Sequence, residues 1–160
     1  MGIKGLEGDF SPVEIRGYTS KSMQTYSDYA VIAINESHKV IAVGKAAYQY
    51  IDAIESSDMG EISVYSTFKR NVVAEFLETV MVVKLIFKNI LPGITYKIFK
   101  PTVAVCIPFE LTGVEIKAFQ DVFYAAGARK VNIFKLEFED IKRELAKNYS
   151  IVIGIIPNKL

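Results

Sequence analysis

The sequence predicts an α/β domain: a mixed sheet flanked by helices, with a small β-hairpin-plus-helix lobe. Three observations carry that reading. In the second part of the chain, β-branched runs of strand length alternate with amphipathic runs of helix length. Earlier, the turn cluster Asn35-Glu36-Ser37-His38 separates two short apolar runs, which is a hairpin pattern. The run Thr102 to Ile107 is apolar almost throughout and bracketed by Pro101 and Pro108, as in a strand buried on both faces.

Taken in order, residues 1–30 are polar and contain glycine, with a strand expected at Val13 to Tyr18. Tyr29 to Ile34 and Lys39 to Val43 form the hairpin, and Gly44 ends it. A short helix over Lys45 to Ile54, a loop at residues 56–60 and a strand over Glu61 to Thr67 follow. Asn71 to Ile90 reads as one long helix. Phe76, Val80, Val83 and Phe87 fall on one stripe, and Val73, Leu77, Met81 and Leu85 lie beside it, so burial over much of its circumference is expected. Leu91-Pro92-Gly93 stops that helix. After the strand at Thr102, Thr112-Gly113-Val114-Glu115 forms a capping box, in which hydroxyl and carboxylate each satisfy a free amide at a helix start. That helix buries Ile116, Phe119 and Phe123 and ends at Gly127. A strand at Val131 to Phe134, a helix over Glu137 to Lys147 and an apolar strand at Ser150 to Ile156 complete the pattern.

Composition narrows the function classes. The 160 residues are 51% hydrophobic against 23% charged, a globular balance for one compact domain. A chain of this size buries roughly 70% of its unfolded surface, so no staple is required. A net charge of +1 argues against general electrostatic attraction to nucleic acid or anionic lipid. The one cysteine, Cys106, excludes an internal disulfide framework and points to a cytoplasmic location. One cysteine and one histidine supply no zinc site, so no metal is expected. Residues 1–6 lack an apolar secretory segment, and Leu6 stands where a myristoylation pattern has Ser or Thr. The greasiest stretch, Val72 to Leu91, is broken by Glu75, Glu78, Lys84 and Lys88, so no membrane span is expected.

Several blocks now stand in an order that resembles domain I of the bacterial actin homologue MreB family. Val31-Ile32-Ala33-Ile34 is similar to that family's "VVAI" strand, and residues 39–47 to "KVLAVGxxA". Residues 68–76 resemble "LKDGVIADF", with Glu75 in the aspartate position. Thr102 to Pro108 with residues 111–115 resembles "VVICVP…ITEVE", and residues 125–131 are close to "AAGAREV". The resemblance spans about residues 9 to 141. It implies an actin-like (RNase H-like) half over residues 1–160. A lobe of the IB type would lie at about residues 27–68, inserted in a core of the IA type made by residues 1–26 and 69–160. An actin-like ATPase closes its cleft with a second half, and the sequence stops at Leu160, near where that half would begin.

The resemblance also implies where nucleotide chemistry would reside. Phosphate turns need small residues and free N–H groups close to the oxygens. Asp9-Phe10-Ser11-Pro12 falls on the family's first turn, "DLGT", so Asp9 and Ser11 are the candidate nucleotide-binding residues of a degenerate turn. Proline at position 12 removes a donor and a hydroxyl. Asp9 reads first as an ordinary turn carboxylate near a strand start. The family's catalytic "EEP" segment falls on Lys135-Leu136-Glu137, and lysine cannot orient an attacking water as a carboxylate does. Glu137 and Glu139 read as acidic residues opening a helix. The second turn, "DIGGGT", would follow the last strand, where residues 151–157 offer one glycine and no aspartate. Loss of about three charge-assisted contacts removes on the order of 5–9 kcal/mol, or about four to six decades of affinity. The expectation is a chain with no catalytic residue and no cofactor.

Other candidates read as ordinary structure. His38 belongs to a solvated turn, Cys106 to an apolar strand, and Tyr18, Tyr26 and Tyr29 to strand packing. Lys69-Arg70 is a basic pair too short for a nucleic-acid stripe. Two function classes stay open. One is a protein-interaction or self-association module, whose partner is a second copy or a full-length actin-like filament protein. The other is half of a nucleotide site completed by a second chain. For the first, Ile151, Val152, Ile153 and Ile155 are the candidate interaction residues: so apolar a strand is hazardous as a free edge, so it must be internal to the sheet or paired across a dimer.

Overall fold

The computed structural model describes residues 12–54, 61–91 and 93–157, without the side chains of residues 52–54, 94, 95 and 97. The expected α/β architecture is present. Strands β1 (Glu14–Tyr18), β2 (Thr25–Tyr29), β8 (Thr102–Cys106), β9 (Lys130–Phe134) and β10 (Ile151–Ile156) form a five-stranded sheet in the order β2-β1-β10-β8-β9. β10 runs parallel to β8 and antiparallel to β1, and β8 is parallel to β9. The sheet is therefore mixed, and its last strand in sequence is its middle strand in space.

Both crossovers in the parallel part carry a helix. Helix α4 (Gly113–Ala125) joins β8 to β9, and α5 (Phe138–Leu145) joins β9 to β10. The two lie on opposite faces because the first crossover moves outward from β8 and the second returns past it. Side chains alternate accordingly. Ile151, Ile153 and Ile155 join Val103 and Val105 in the core under α4 and α2 (Phe76–Ile90). Val152, Ala104 and Cys106 meet Phe138 and Ala146 under α5. The ring of Phe138 lies on Gly154, where an added Cβ would sit 2.6 Å from Phe138 Cδ1. The capping box of α4 is formed as expected: Glu115 N–H donates to Thr112 Oγ1 at 3.2 Å, and Thr112 N–H donates to the Glu115 carboxylate at 2.8 Å.

The lobe is a second sheet, β4-β3-β5, of β3 (Val31–Ile34), β4 (Val40–Val43) and β5 (Ser63–Ser66), covered by α1 (Lys45–Ile54). The apolar run that begins at Tyr29 does not make one strand. Ala30 breaks it, donating its N–H to Val13 O at 2.9 Å and accepting from Thr67 N–H at 2.9 Å. β2 lies on the core side of that break, in a stretch too polar to read as a strand. Asp28 anchors the junction. Its buried carboxylate accepts from Tyr29 N–H at 2.8 Å, Lys45 N–H at 2.6 Å and the Tyr26 hydroxyl at 3.1 Å, capping α1 from a strand of the other sheet. Gly44, at φ +71°, has no Cβ because the Asp28 carboxylate occupies that space.

Two expectations for α2 are corrected. Residues 68–73 form a tight hairpin of β6 (Phe68–Lys69) and β7 (Val72–Val73), and the helix begins only at Phe76. Arg70 and Asn71 both take positive φ at the tip, which sets a hairpin turn where helical periodicity suggested continuity. The apolar stripe is also narrower than expected. Val80, Val83 and Phe87 are buried, whereas Leu77 is 70% exposed and Phe76 and Met81 are partly open. A short helix, α3 (Gly93–Ile98), follows the Leu91 stop and was not foreseen.

The contact between Gly154 and Phe138 gives a direct test. Gly154→Ala forces a Cβ into the ring and should lower stability by roughly 1–3 kcal/mol in urea unfolding. Wild-type stability for this variant would show that α5 does not lie on β10 as described.

Candidate functional site

In a doubly wound sheet, ligands bind beyond the carboxyl ends of the parallel strands, where successive crossovers diverge to opposite faces. Here α4 follows β8 and α5 follows β9 on the opposite face, so that point lies between the carboxyl ends of β8 and β9. Register sets what stands at this end of the sheet. Glu14 pairs with Ile156, so Pro12 and Val13 lie beside Ile156 and Pro157. Cys106 pairs with Phe134 and with Gly154, bringing Ile107 to Glu110 and Lys135 to Glu137 to the same end.

Pro12 precedes β1, Pro108 follows β8 and Pro157 follows β10, so three of the five prolines in the chain stand at these three strand ends. Each lacks the N–H that a phosphate oxygen would need. Lys135 forms an ion pair with Glu110 beside a small cleft. Ile107, Phe109, Leu111, Ile116 and Ile133 line that cleft, whose volume is about 140 Å³. The sequence did not single out Glu110. No local pattern marks it, because its partner lies 25 residues away.

The expected acidic opening of α5 serves a structural end. Glu139 accepts from Lys142 at 2.6 Å and from Arg16 at 3.0 Å, and Arg16 also pairs with Glu14 at 2.9 Å. The Lys142 hydrogen bond is the first cause that lowers the pKa of Glu139, and Arg16 adds to it. Lys142 continues the network to Thr25 Oγ1 at 2.8 Å and lies over the Tyr18 and Phe138 rings. Glu137 is exposed and makes no side-chain cap bond on α5.

The remaining candidates divide clearly. Asp9 and Ser11 lie outside the described residues. Ile151, Val152, Ile153 and Ile155 are at most 1% exposed, with β1 on one side and β8 on the other. Of the two placements open to so apolar a strand, the internal one is observed, so these side chains form core and present no free surface. Cys106 is fully buried, and burial pushes its thiol up to about 12. Tyr26, beside Asp28, is held at about 12, first by burial and then by that carboxylate. His38 occupies the hairpin turn at φ +61°. Among the described residues, no cluster of metal-ligating side chains occurs, and no helix is long and apolar enough to cross a membrane.

Comparison with known proteins gives this frame a family. The model of the MreB/Mbl protein family matches residues 9–140, more than half of the chain. The chain belongs to the MreB/Mbl family. Two crystal structures of MreB5 from Spiroplasma citri share the fold. The ADP-bound structure has TM-score 0.55 and 24% identity, covering 72% of this chain and 33% of its own. The AMPPNP-bound structure has TM-score 0.59 and 23% identity, covering 78% of this chain and 36% of its own. The chain thus spans about a third of the length of these MreB structures. Among curated proteins, no sequence matches. The family match ends at residue 140, inside α5, so β10 lies beyond it.

Titration of the buried Cys106 and the half-buried Tyr26 predicts how this MreB-type fold responds to alkali. The Cys106 thiol and Tyr26 phenol ionise near 9 and 10 when free and near 12 in the folded chain. Their protonated forms are retained on folding, so stability is full below pH 9 and falls as pH rises toward 12. Urea unfolding across pH 8–11 should show this decline, and native Cys106 should resist alkylation at pH 8 until the chain is unfolded. A thiol that reacts at the rate of a free peptide would contradict its placement.

Proposed function

We propose that this chain is a non-catalytic MreB-type domain that acts through protein contacts, by self-association or by joining an actin-like filament in cell-shape or cytoskeletal assembly. The observation that carries the reading is the carboxyl end of the parallel strands, where Pro12 precedes β1, Pro157 follows β10, and Lys135 is paired with Glu110. Phosphate recognition in water depends on several backbone donors acting together. Their removal costs more than a single side-chain cation can restore.

The family supplies the complementary argument. MreB5 was crystallised with ADP and with AMPPNP, and this chain spans about a third of that protein. What the chain retains is scaffold: the two sheets, the Asp28 junction and the capped α4 helix. A domain that keeps its frame while its nucleotide turns diverge is maintained for its surfaces. A full-length actin-like protein or a second copy is the partner class that follows.

Calorimetric titration of the full chain with ATP and magnesium should give no saturable heat in the submillimolar range, and phosphate release should match the buffer rate. Submillimolar binding would refute this reading and favour a half-site completed by a second chain.

A further inference from the structure

We propose that this chain self-associates head to tail, the start of α2 in one copy docking into a cationic, apolar cleft at the far end of α2 in the next. The inference rests on the self-association reading above and names its partner as a second copy of this chain.

The sequence holds two short segments of like shape and opposite charge. Glu75-Phe76-Leu77-Glu78 opens α2, and Lys97-Ile98-Phe99-Lys100 straddles the end of α3. In each, two large apolar residues stand between two residues of one charge. Exposed apolar side chains are ordinarily scattered singly. Here they are adjacent and open: Leu77 is 70% exposed beside Phe76, and Ile98 and Phe99 are 66% and 71% exposed. Glu75 and Glu78 lie together near Tyr65, whose phenol is pushed up first by burial and then by these two carboxylates. Lys69 and Arg70, on the neighbouring β6-β7 hairpin, pair with neither.

The second segment borders a cleft of about 530 Å³. Leu91, Tyr96, Phe99 and Pro101 supply its apolar lining, and Lys100 and Arg129 add two cations. Tyr96 fixes one wall, because its hydroxyl donates to Ala126 O and its ring meets Phe87 edge-on at 5.5 Å between centroids. The sequence has no Asp or Glu from Thr79 to Phe109 or from Val122 to Leu136, so this end is cationic although the whole chain carries only +1. Among the described residues, no carboxylate pairs with Lys100 or Arg129, and no cation pairs with Glu75 or Glu78. Complementary charges of this kind steer encounter and fix register between partners. The concavity, and a matching acidic segment in the same chain, favour a protein partner over an anionic lipid surface.

Geometry makes the contact intermolecular. The two sites lie at opposite ends of the 15-residue α2, roughly 22 Å apart along its axis. One copy therefore offers its α2 start to a neighbour while its own cleft receives another. Contact between two different patches is heterologous, and it repeats as an open chain unless the rotation closes a ring.

Two charge-reversed full-length chains test the contact, one carrying Glu75→Lys and Glu78→Lys, the other Lys100→Glu and Arg129→Glu. In analytical ultracentrifugation the unaltered chain should gain mass with concentration and lose it at high salt. Each reversed chain alone should stay monomeric, because like charges then face each other. An equimolar mixture of the two should regain association, since each altered site meets its complement on the other chain. Leu77→Ser and Phe99→Ser, both at exposed positions, should each abolish association while the helix signal in circular dichroism is kept. An unaltered chain that stays monomeric overturns the proposal, as does association of either reversed chain alone. A folded mixture that remains monomeric, or serine variants that associate normally, overturns it as well. Binding of a monomeric chain to phosphatidylglycerol vesicles, lost with Lys100→Glu and Arg129→Glu, would assign the cleft to lipid and also overturn it. Capture of a full-length actin-like protein by a chain that remains monomeric would sink this contact and leave the proposed function standing. Submillimolar ATP binding, with the mixture associating as expected, would do the reverse.

Discussion

The whole fold depends on one strand inserted between two others. β10 is hydrogen-bonded on both edges and buried on both faces, and it alone connects the antiparallel pair β1-β2 to the parallel pair β8-β9. Burying the side chains of Ile151, Val152, Ile153 and Ile155 stabilises the fold by about 1.5–3 kcal/mol each, or roughly 6–12 kcal/mol in all. That is an upper value against an extended chain, yet it is comparable to the entire net stability of a typical domain. The helices follow from this insertion. α4 and α5 lie on opposite faces because β10 returns to the near side of β8. Gly154 is glycine because α5 must then cross the strand with Phe138 against it.

The same insertion sets the carboxyl end of the sheet. Since β10 runs parallel to β8, their carboxyl ends and the start of β1 converge on one edge. There the fold presents the place where an α/β sheet holds a ligand, and the sequence places prolines at each of those strand ends. Membership of the MreB/Mbl family rests on the match over residues 9–140, and a shared fold does not by itself carry a site's chemistry. Asp28 ties the lobe to the core through three donors on two elements and holds the two sheets in register.

Much of this was legible in the sequence, for reasons that differ by element. β8, β9, β10 and α4 are bounded by Pro101, Thr112, Gly127 and Pro157, residues whose backbone chemistry acts locally, and their limits hold to within a residue or two. The hairpin pattern indicated β3 and β4, whereas the expected lobe boundary at residue 27 falls inside β2, a strand of the main sheet. What escaped was set by contacts distant in sequence. β2 is polar and pairs only because β1 offers it an edge. The start of α2 is delayed because Thr67 O accepts from Ala74 and Glu75 N–H and holds a hairpin closed. Whether the last strand would be internal or intermolecular depended on the empty position between β1 and β8, which no local pattern reveals. At the candidate site, Lys135 was visible in the sequence but its partner Glu110 was not.

Native-state hydrogen exchange of the full chain tests the central claim most directly. If β10 is the strand on which the sheet depends, the amides of Val152 to Ile155 should belong to the slowest class, exchanging only by global unfolding, and magnesium-ATP should leave their protection unchanged. Fast exchange of these amides while β8 and β1 stay protected would contradict the account, because the sheet would then stand without its middle strand.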